Sequence, residues 1–331
     1  MLTLIGKRLV AMAVILVALA AVIFYLQSIS PLDPVHAQLG AQASAEAVAA
    51  RRHELGLDQP LVTQFGHYLV NLLHGDLGSS YRTRRPITTD LVAYLPATLE
   101  LTVAGLVLAL VLAVVLAFAT VLSWPGSGLF RAVLLVGAST PAFLLGIAGL
   151  IIFYQRLGVL PANGRLALNG APTGPTGLLT VDGLLHGQPA VTLDALKHLV
   201  LPAVAIALGP AVAIGRVLRS SLIADQHSDY ARTARAKGLT ELAVLRKHVL
   251  RNALGAALSM TGLQVGLMFA GVLVVEQVFG WPGIGQYVAQ SIPVADFPAI
   301  AGVTLMLGAV YIVINTTVDI LQAVADPRIA A

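Results

Sequence analysis

Six stretches of this chain are too long and too apolar to be left in water. They run over Leu9–Ile29, Pro96–Leu122, Phe130–Tyr154, Leu199–Leu222, Ala253–Val275 and Ile300–Val324. Each meets the roughly 20 mostly apolar residues that a helix needs to cross the hydrocarbon core of a bilayer. Lipid offers no hydrogen-bond partner to a free backbone N–H or C=O, so such runs fold as helices, which satisfy those groups internally. The expected fold is therefore an all-α membrane protein with six transmembrane helices. Composition agrees: 57% of the residues are hydrophobic and 11% are charged, and the mean hydropathy is +0.85.

Lys7 and Arg8 precede the first run, and Val35-His36-Ala37 follows it at a distance that could suit a cleavable signal peptide. The run is longer than the core of such a peptide and five more follow, so an uncleaved first helix is expected. The chain has no cysteine, which excludes disulfides, thiolate metal sites and cysteine nucleophiles.

Basic residues near span ends favour the cytoplasm. With the N-terminus inside, Lys7, Arg8, Arg131, Arg216, Arg219, Arg232, Arg235, Lys237, Arg246, Lys247, Arg251 and Arg328 all fall on the cytoplasmic side. Both termini are then cytoplasmic. The outer side receives a long polar segment, Ser30–Tyr94, between spans one and two. Within it Ala45–Leu55 reads as a helix, and Q-F-G-H-Y-L-V-N-L-L-H-G-D-L-G as an amphipathic helix at the membrane surface. The outer stretch from about Gly158 to His198 is rich in glycine and proline and reads as irregular. Ser123–Gly128 reads as a turn, and Glu276–Pro298 as turn residues with one short helix. The organisation expected is a first span with its outer segment over 1–93, then a transmembrane domain over 94–325 carrying a cytoplasmic loop at 223–252.

That loop is the most informative part of the chain. In D-Y-A-R-T-A-R-A-K-G-L, Asp229 to Leu239, Ser228 or Asp229 can cap a helix, three alanines favour it, and Lys237 suits its negative end. Gly238 stands where a left-handed residue ends a helix. Thr240 then caps a second helix that runs on into span five. A short exposed helix, a glycine break and a helix continuous with a span make a stiff element. Its small side chains permit close approach of another surface, and its cations can pair with carboxylates there. A solvated basic loop obeying the charge rule is the plain alternative. Nucleic acid does not fit, because no aromatic residues interleave with the basic ones.

These residues resemble a known family. Y-A-R-T-A-R-A-K-G-L-T-E-L-A-V-L-R-K-H-V-L-R-N-A-L, Tyr230–Leu254, resembles the cytoplasmic signature loop of ABC-importer permeases of the dipeptide/oligopeptide/nickel group. The resemblance extends in order along nearly the whole chain, through Leu55–Ile87, L-P-A-T-L-E-L at Leu95–Leu101, S-T-P-A-F-L-L-G with R-L-G-V-L-P-A-N-G, V-V-E-Q-V-F-G-W-P-G-I-G at Val274–Gly285, and D-P-R-I at Asp326–Ile329. It departs from the family at P-L-D-P (Pro31–Pro34) and at Gly255, where a proline often stands.

What the resemblance implies is a type I importer of the bacterial cytoplasmic membrane. This permease would sit beside a second homologous permease subunit, with two ATP-binding subunits inside and an extracytoplasmic substrate-binding protein outside. The chain would bind no cofactor itself, ATP and magnesium being held by the partner ATPase subunits. The loop helix would be the ATPase-docking element, with Tyr230, Ala231, Ala234, Arg235, Lys237, Gly238 and Leu239 carrying the contact. Peptides are the expected cargo, with nickel chelates, glutathione and oligosaccharides as alternatives.

Absences in the sequence point the same way. No G-x-x-x-x-G-K-[ST] occurs, so the chain has no phosphate-cradling loop of its own. No nucleophile–base or metal-ligand spacing appears, which leaves a membrane enzyme without a constellation. A self-contained secondary transporter calls for paired intramembrane ionisable residues, and the centres of the six runs hold almost none. Among the polar residues that are there, Gln264 either faces a pathway or bonds a neighbouring helix. Asn315, with Thr316, Thr317 and Asp319, reads the same way, helix–helix hydrogen bonding being the plain reading. Glu100 reads as a structural carboxylate at a helix N-terminus. Gly262 and Gly266 form a G-x-x-x-G suited to close helix packing. Pro141, Pro202 and Pro210 are expected to kink or start helices. Phe279, Gly280, Trp281 and Pro282 are candidates for an outer gate.

Overall fold

The computed structural model describes residues 2–30, 33–40, 42–168 and 174–325. The terminal D-P-R-I motif and residues 169–173 of the glycine- and proline-rich stretch lie outside the described residues. Among the described residues the structure is helical, with one isolated bridge between Ser79 and Pro86. Five helices are long and apolar enough to cross a membrane, or six if a bent pair counts as one span. The helices fall into two compact units, residues 1–95 with 287–310 and residues 96–286 with 311–331.

The first unit holds α1 (Leu2–Ser28), α2 (Pro34–Leu39), α3 (Ala45–Glu54), α4 (Leu61–Leu73) and the start of α5 (Ile87–Val121). It also takes most of α13 (Ile284–Ser291) and the first half of α14 (Phe297–Ala325). The helices read at Ala45–Leu55 and in the surface stretch are both present, as α3 and α4. Ser44 starts α3 by accepting from the Ala47 N–H. α4 turns one face inward, where Tyr68, Leu69 and Leu72 pack against Ala20, Ile23, Ala301 and Leu305. The Phe65 and Tyr68 rings lie 5.3 and 5.8 Å from that of Phe24.

Two buried carboxylates tie down the loop that leads into α5. Asp296 accepts from the Ser80 hydroxyl and from the Tyr81 and Arg82 N–H groups at 3.0 and 3.1 Å. Asp90 accepts from Thr83 Oγ1 at 2.5 Å and from the Tyr287 hydroxyl at 3.1 Å. Burial, reinforced by the charges of Asp296 and Asp33, pushes the Tyr81 phenol up to about 12.

The second unit is built on α9 (Pro189–Asp225) and α12 (Leu250–Val278), which pack along their length. α9 is continuous through Pro202 and Pro210. Around it lie α6 (Ser127–Ser139), α7 (Ala142–Gly149) and α8 (Leu179–Leu185). Gly105 of α5 faces the Ile206 side chain so closely that an added Cβ would lie 2.4 Å from it. The G-x-x-x-G of α12 meets α14: a Cβ on Gly266 would fall 2.3 Å from the Tyr311 ring, and one on Gly262 would fall 3.2 Å from Val318.

Several expectations are corrected here. The third apolar run is two helices bent by 111°. Thr140, extended at φ −97° and ψ 132°, stands before a proline, where helical backbone clashes with the ring; α7 then restarts after Pro141 and continues as wider turns over Leu150–Arg156. The stretch after Gly158 is not irregular throughout, since α8 and the first turns of α9 lie within it. Glu100 is not at a helix start, because α5 begins at Ile87 and passes through Pro96. What holds its buried carboxylate is Arg165, together with the Thr180 N–H and hydroxyl at 2.8 and 2.7 Å.

Candidate docking site

The loop after α9 folds as α10 (Asp229–Ala236), a glycine break, and α11 (Glu241–Val244), which passes through a widened turn at Leu245–Val249 into α12. From Glu241 to Val278 the helix is continuous. Thr240 caps α11 by accepting from the Ala243 N–H. Ser228 holds the position before α10 with extended backbone but does not cap through its side chain. Its hydroxyl donates to the Asp225 carbonyl at 2.6 Å instead.

The end of α10 is closed by two backbone bonds. Gly238 N–H donates to Arg235 O at 2.9 Å and Leu239 N–H to Ala234 O at 3.3 Å. That pattern needs a left-handed residue at its centre, and Gly238 supplies it at φ +83°.

Ala231 and Ala234 do not look outward. They are 0% and 5% exposed and pack with Leu218, Leu222, Val244, Leu245 and Val249, with Leu239 partly buried beside them. Their small size brings α10 close to the chain's own α11 and Leu245–Val249 turn. Arg235 is also engaged internally, with Nε on Glu241 at 2.6 Å and Nη1 on the Gln226 carbonyl at 2.8 Å. The hydrogen bond it donates to the Glu241 carboxylate favours its charged form and raises its pKa above the ordinary value.

The outward face is thus Tyr230, Thr233 and Lys237, with Arg232 and Gly238. The Tyr230 hydroxyl accepts from Asn252 Nδ2 at 3.0 Å, and Arg232 pairs with Asp229. Arg232 and Thr233 were absent from the candidate set. The spacing of Ala231 and Ala234 carries the signal: if they form the inner stripe, 229, 232, 233 and 236 lie on the opposite, exposed face, with 230 and 237 at its flank.

The remaining candidates lie apart from α10. Gln264 lines a cleft of about 150 Å³ with Thr140, Gly209 and Pro210, and its amide reaches Met260 Sδ at 3.7 Å. Asn315, Thr316 and Thr317 each donate to the carbonyl four residues back in their own helix, so the expected bonds between helices are not what satisfies these donors. Phe279 and Trp281 are 2% and 1% exposed. Trp281 donates to the Ala97 carbonyl at 2.9 Å, while Gly280 and Pro282 remain on the surface.

Beside them sequence reading missed a buried carboxylate. Glu276 accepts from Thr98 Oγ1 and Gly285 N–H, both at 2.6 Å, and from Gln286 N–H at 3.3 Å. A Cβ on Gly283 or Gly285 would lie 2.1 or 2.8 Å from that carboxylate. The glycines of W-P-G-I-G are there to make room for it.

Two family models cover the chain. Binding-protein-dependent transport system inner membrane component matches residues 105–331, and the N-terminal model of the same transport systems matches residues 1–102. The chain belongs to this family. It is the membrane component of a binding-protein-dependent transport system, with the type I ABC permease fold. The dipeptide transport system permease protein of Alkalihalophilus pseudofirmus is 37% identical, over 98% of each chain. The di/tripeptide transport system permease protein of Pseudomonas aeruginosa is 36% identical over 99% of each. The glutathione transport system permease protein of Salmonella typhimurium is 34% identical, also over 99% of each.

Proposed function

We propose that this chain is a permease subunit of an ATP-driven importer of di- or oligopeptides, and that α10 is its handle. The observation that carries the reading is the packing of α10: its inner stripe is buried against α11 and the Leu245–Val249 turn that runs on into α12, and Arg232, Thr233 and Lys237 face outward. A force on the outward face passes through this packing into the helix that continues as α12.

In this reading Tyr230, Thr233, Lys237 and Gly238 meet an ATP-binding subunit, with Arg232 at the edge. Ala231, Ala234, Arg235 and Leu239 hold the helix in place for that contact. Two ATP-binding subunits hold ATP and magnesium, a second homologous permease completes the pathway, and an external binding protein delivers the cargo. Both termini face the cytoplasm, as does α10. The braced segment at 279–282 forms a wall of the outer mouth and moves with α12. Full-length similarity to dipeptide and di/tripeptide permeases supports peptide as the cargo.

The test is purification in mild detergent with mass spectrometry of what accompanies the chain, then uptake by the reconstituted complex. Expected are a second permease, an ATP-binding subunit, and ATP-dependent uptake of labelled dipeptide ahead of glutathione, nickel chelate and oligosaccharide. Uptake driven by an ion gradient with the purified chain alone would overturn the reading.

A further inference from the structure

At the end of the second unit that carries α10, three arginines converge on one cleft. Arg131 comes from the second turn of α6, and Arg216 and Arg219 come from the last turns of α9. The cleft is about 290 Å³ and is completed by Leu116, Thr120, Leu135, Val212 and Gly215. No carboxylate lines it. Among the described residues none of the three arginines makes an ion pair or a hydrogen bond to the protein, and Arg219 Nε is buried without a partner.

A buried charged donor left without an acceptor is costly, and proteins normally supply one. Three guanidinium groups around one cleft also repel each other unless an anion lies between them. The walls on either side are apolar. They are formed by Leu116, Leu135 and Val212; on the far face of α6, Leu129, Val133 and Val136 are 73%, 61% and 70% exposed, a face suited to acyl chains. Trp124, in the turn just before α6, is 47% exposed, as aromatic residues at the bilayer interface are. The cleft thus combines a cationic floor with apolar walls.

We infer that Arg131, Arg216 and Arg219 form a binding site for the phosphodiester of an anionic phospholipid. Guanidinium groups match phosphate oxygens in paired hydrogen bonds, more specifically than ammonium groups do. Basic pockets between spans at a membrane surface take headgroups of this class. The lipid fills the missing acceptor of Arg219 and pins the α6 end to the α9 end, next to the handle. A soluble phosphate offers the same oxygens but nothing for the apolar walls.

The test uses the full chain purified in detergent, by native mass spectrometry and by thermal unfolding with added lipid. Expected is retention of phosphatidylglycerol or cardiolipin through delipidation. Both should raise the unfolding temperature, while phosphatidylcholine and millimolar inorganic phosphate leave it unchanged. Exposed Arg216→Gln, which spares the core, should weaken the effect about fivefold, the equivalent of about 1 kcal/mol for one cation near a charged membrane surface. Arg216→Gln with Arg219→Gln should abolish it, and Arg156→Gln should not change it. Equal stabilisation by inorganic phosphate would assign the cleft to a soluble anion and overturn the lipid proposal. So would equal retention of zwitterionic lipid, or an unchanged preference in the double variant. Loss of bound lipid when the chain is purified with its partner subunits would show that their carboxylates occupy the cleft, and would equally end the proposal.

Discussion

At Gly238 one substitution series separates two physical causes. Its φ is +83° and an added Cβ would meet nothing within 4 Å, so within this chain only the backbone conformation resists a side chain. An L-residue in the left-handed region costs roughly 1–2 kcal/mol, asparagine being better tolerated; a β-branched residue there is a true outlier. Opposing that strain is the anchoring of α10. Ala231 and Ala234 bury a methyl each, together about 1.6 kcal/mol at ~0.8 kcal/mol per buried carbon. The Arg235–Glu241 pair is open to solvent and adds little. The strain of an alanine therefore about equals the apolar anchoring of the helix, and that of a valine exceeds it.

The expected order is Gly238 closest to Gly238→Asn, then Gly238→Ala, then Gly238→Val. Each loss of about 1.4 kcal/mol is a tenfold loss of the ordered form. Hydrogen exchange of the Gly238 and Leu239 amides, which close the helix end, reads the ordering directly. Co-purification of the ATP-binding subunit and coupled uptake should fall in step with it. If Gly238→Asn loses uptake as badly as Gly238→Val while both amides stay protected, backbone strain is the wrong cause and direct pressure from the partner is the right one.

Three further outcomes follow from the same structure. Gly285→Ala should cost at least the 1–3 kcal/mol typical of overpacking, because its Cβ would lie 2.5 Å from the Leu273 Cα, which cannot step aside; a thermal shift of the purified protein measures it. Arg165→Met should destabilise by about 3 kcal/mol or more by stranding the buried Glu100 carboxylate, and adding Glu100→Met should recover most of it; a double-mutant cycle by thermal unfolding decides. Tyr81 contributes stability that is complete below its ordinary 10.0 and lost as pH rises through about 12, because burial favours the neutral phenol; alkaline unfolding followed by tyrosinate absorbance should lose this phase in Tyr81→Phe.

Local rules explain which parts of this fold could be read in the residues. The apolar runs located the spans, and Gly238 and Thr240 located the ends of α10 and α11, because a cap or a left-handed turn is decided within four residues. The break at Thr140–Pro141 was also local, but it lay inside an unbroken apolar run, and hydropathy does not register backbone direction. The Glu100–Arg165 pair spans 65 positions and the Thr98–Glu276 bond 178, and neither leaves a periodic trace. Ala231 and Ala234 show the subtler limit. Small residues signal close approach, but the chain alone does not say whether the approaching surface is its own or another protein's.

That distinction bears on how force could travel through the second unit. α12 is fixed at one end by the α10 seam, where alanines leave no gap against Val244, Leu245 and Val249. At the other it is fixed by Glu276, whose carboxylate is enclosed by Thr98, Gly285 and Gln286 with no space for a Cβ on Gly283. Between the two, Gly262 and Gly266 press the helix against α14. Packed contacts of this kind shift as blocks rather than stretch, since interiors at crystal-like density have little compressible space. The one departure from regular α geometry along the path is the widened turn at Leu245–Val249, a feature that recurs at functional sites in helices. A displacement of α10 must therefore either be taken up in that turn or appear at Glu276. Measured distances from labels on Thr233 to the 245–249 turn and to Gln277, with and without ATP, tell the two apart.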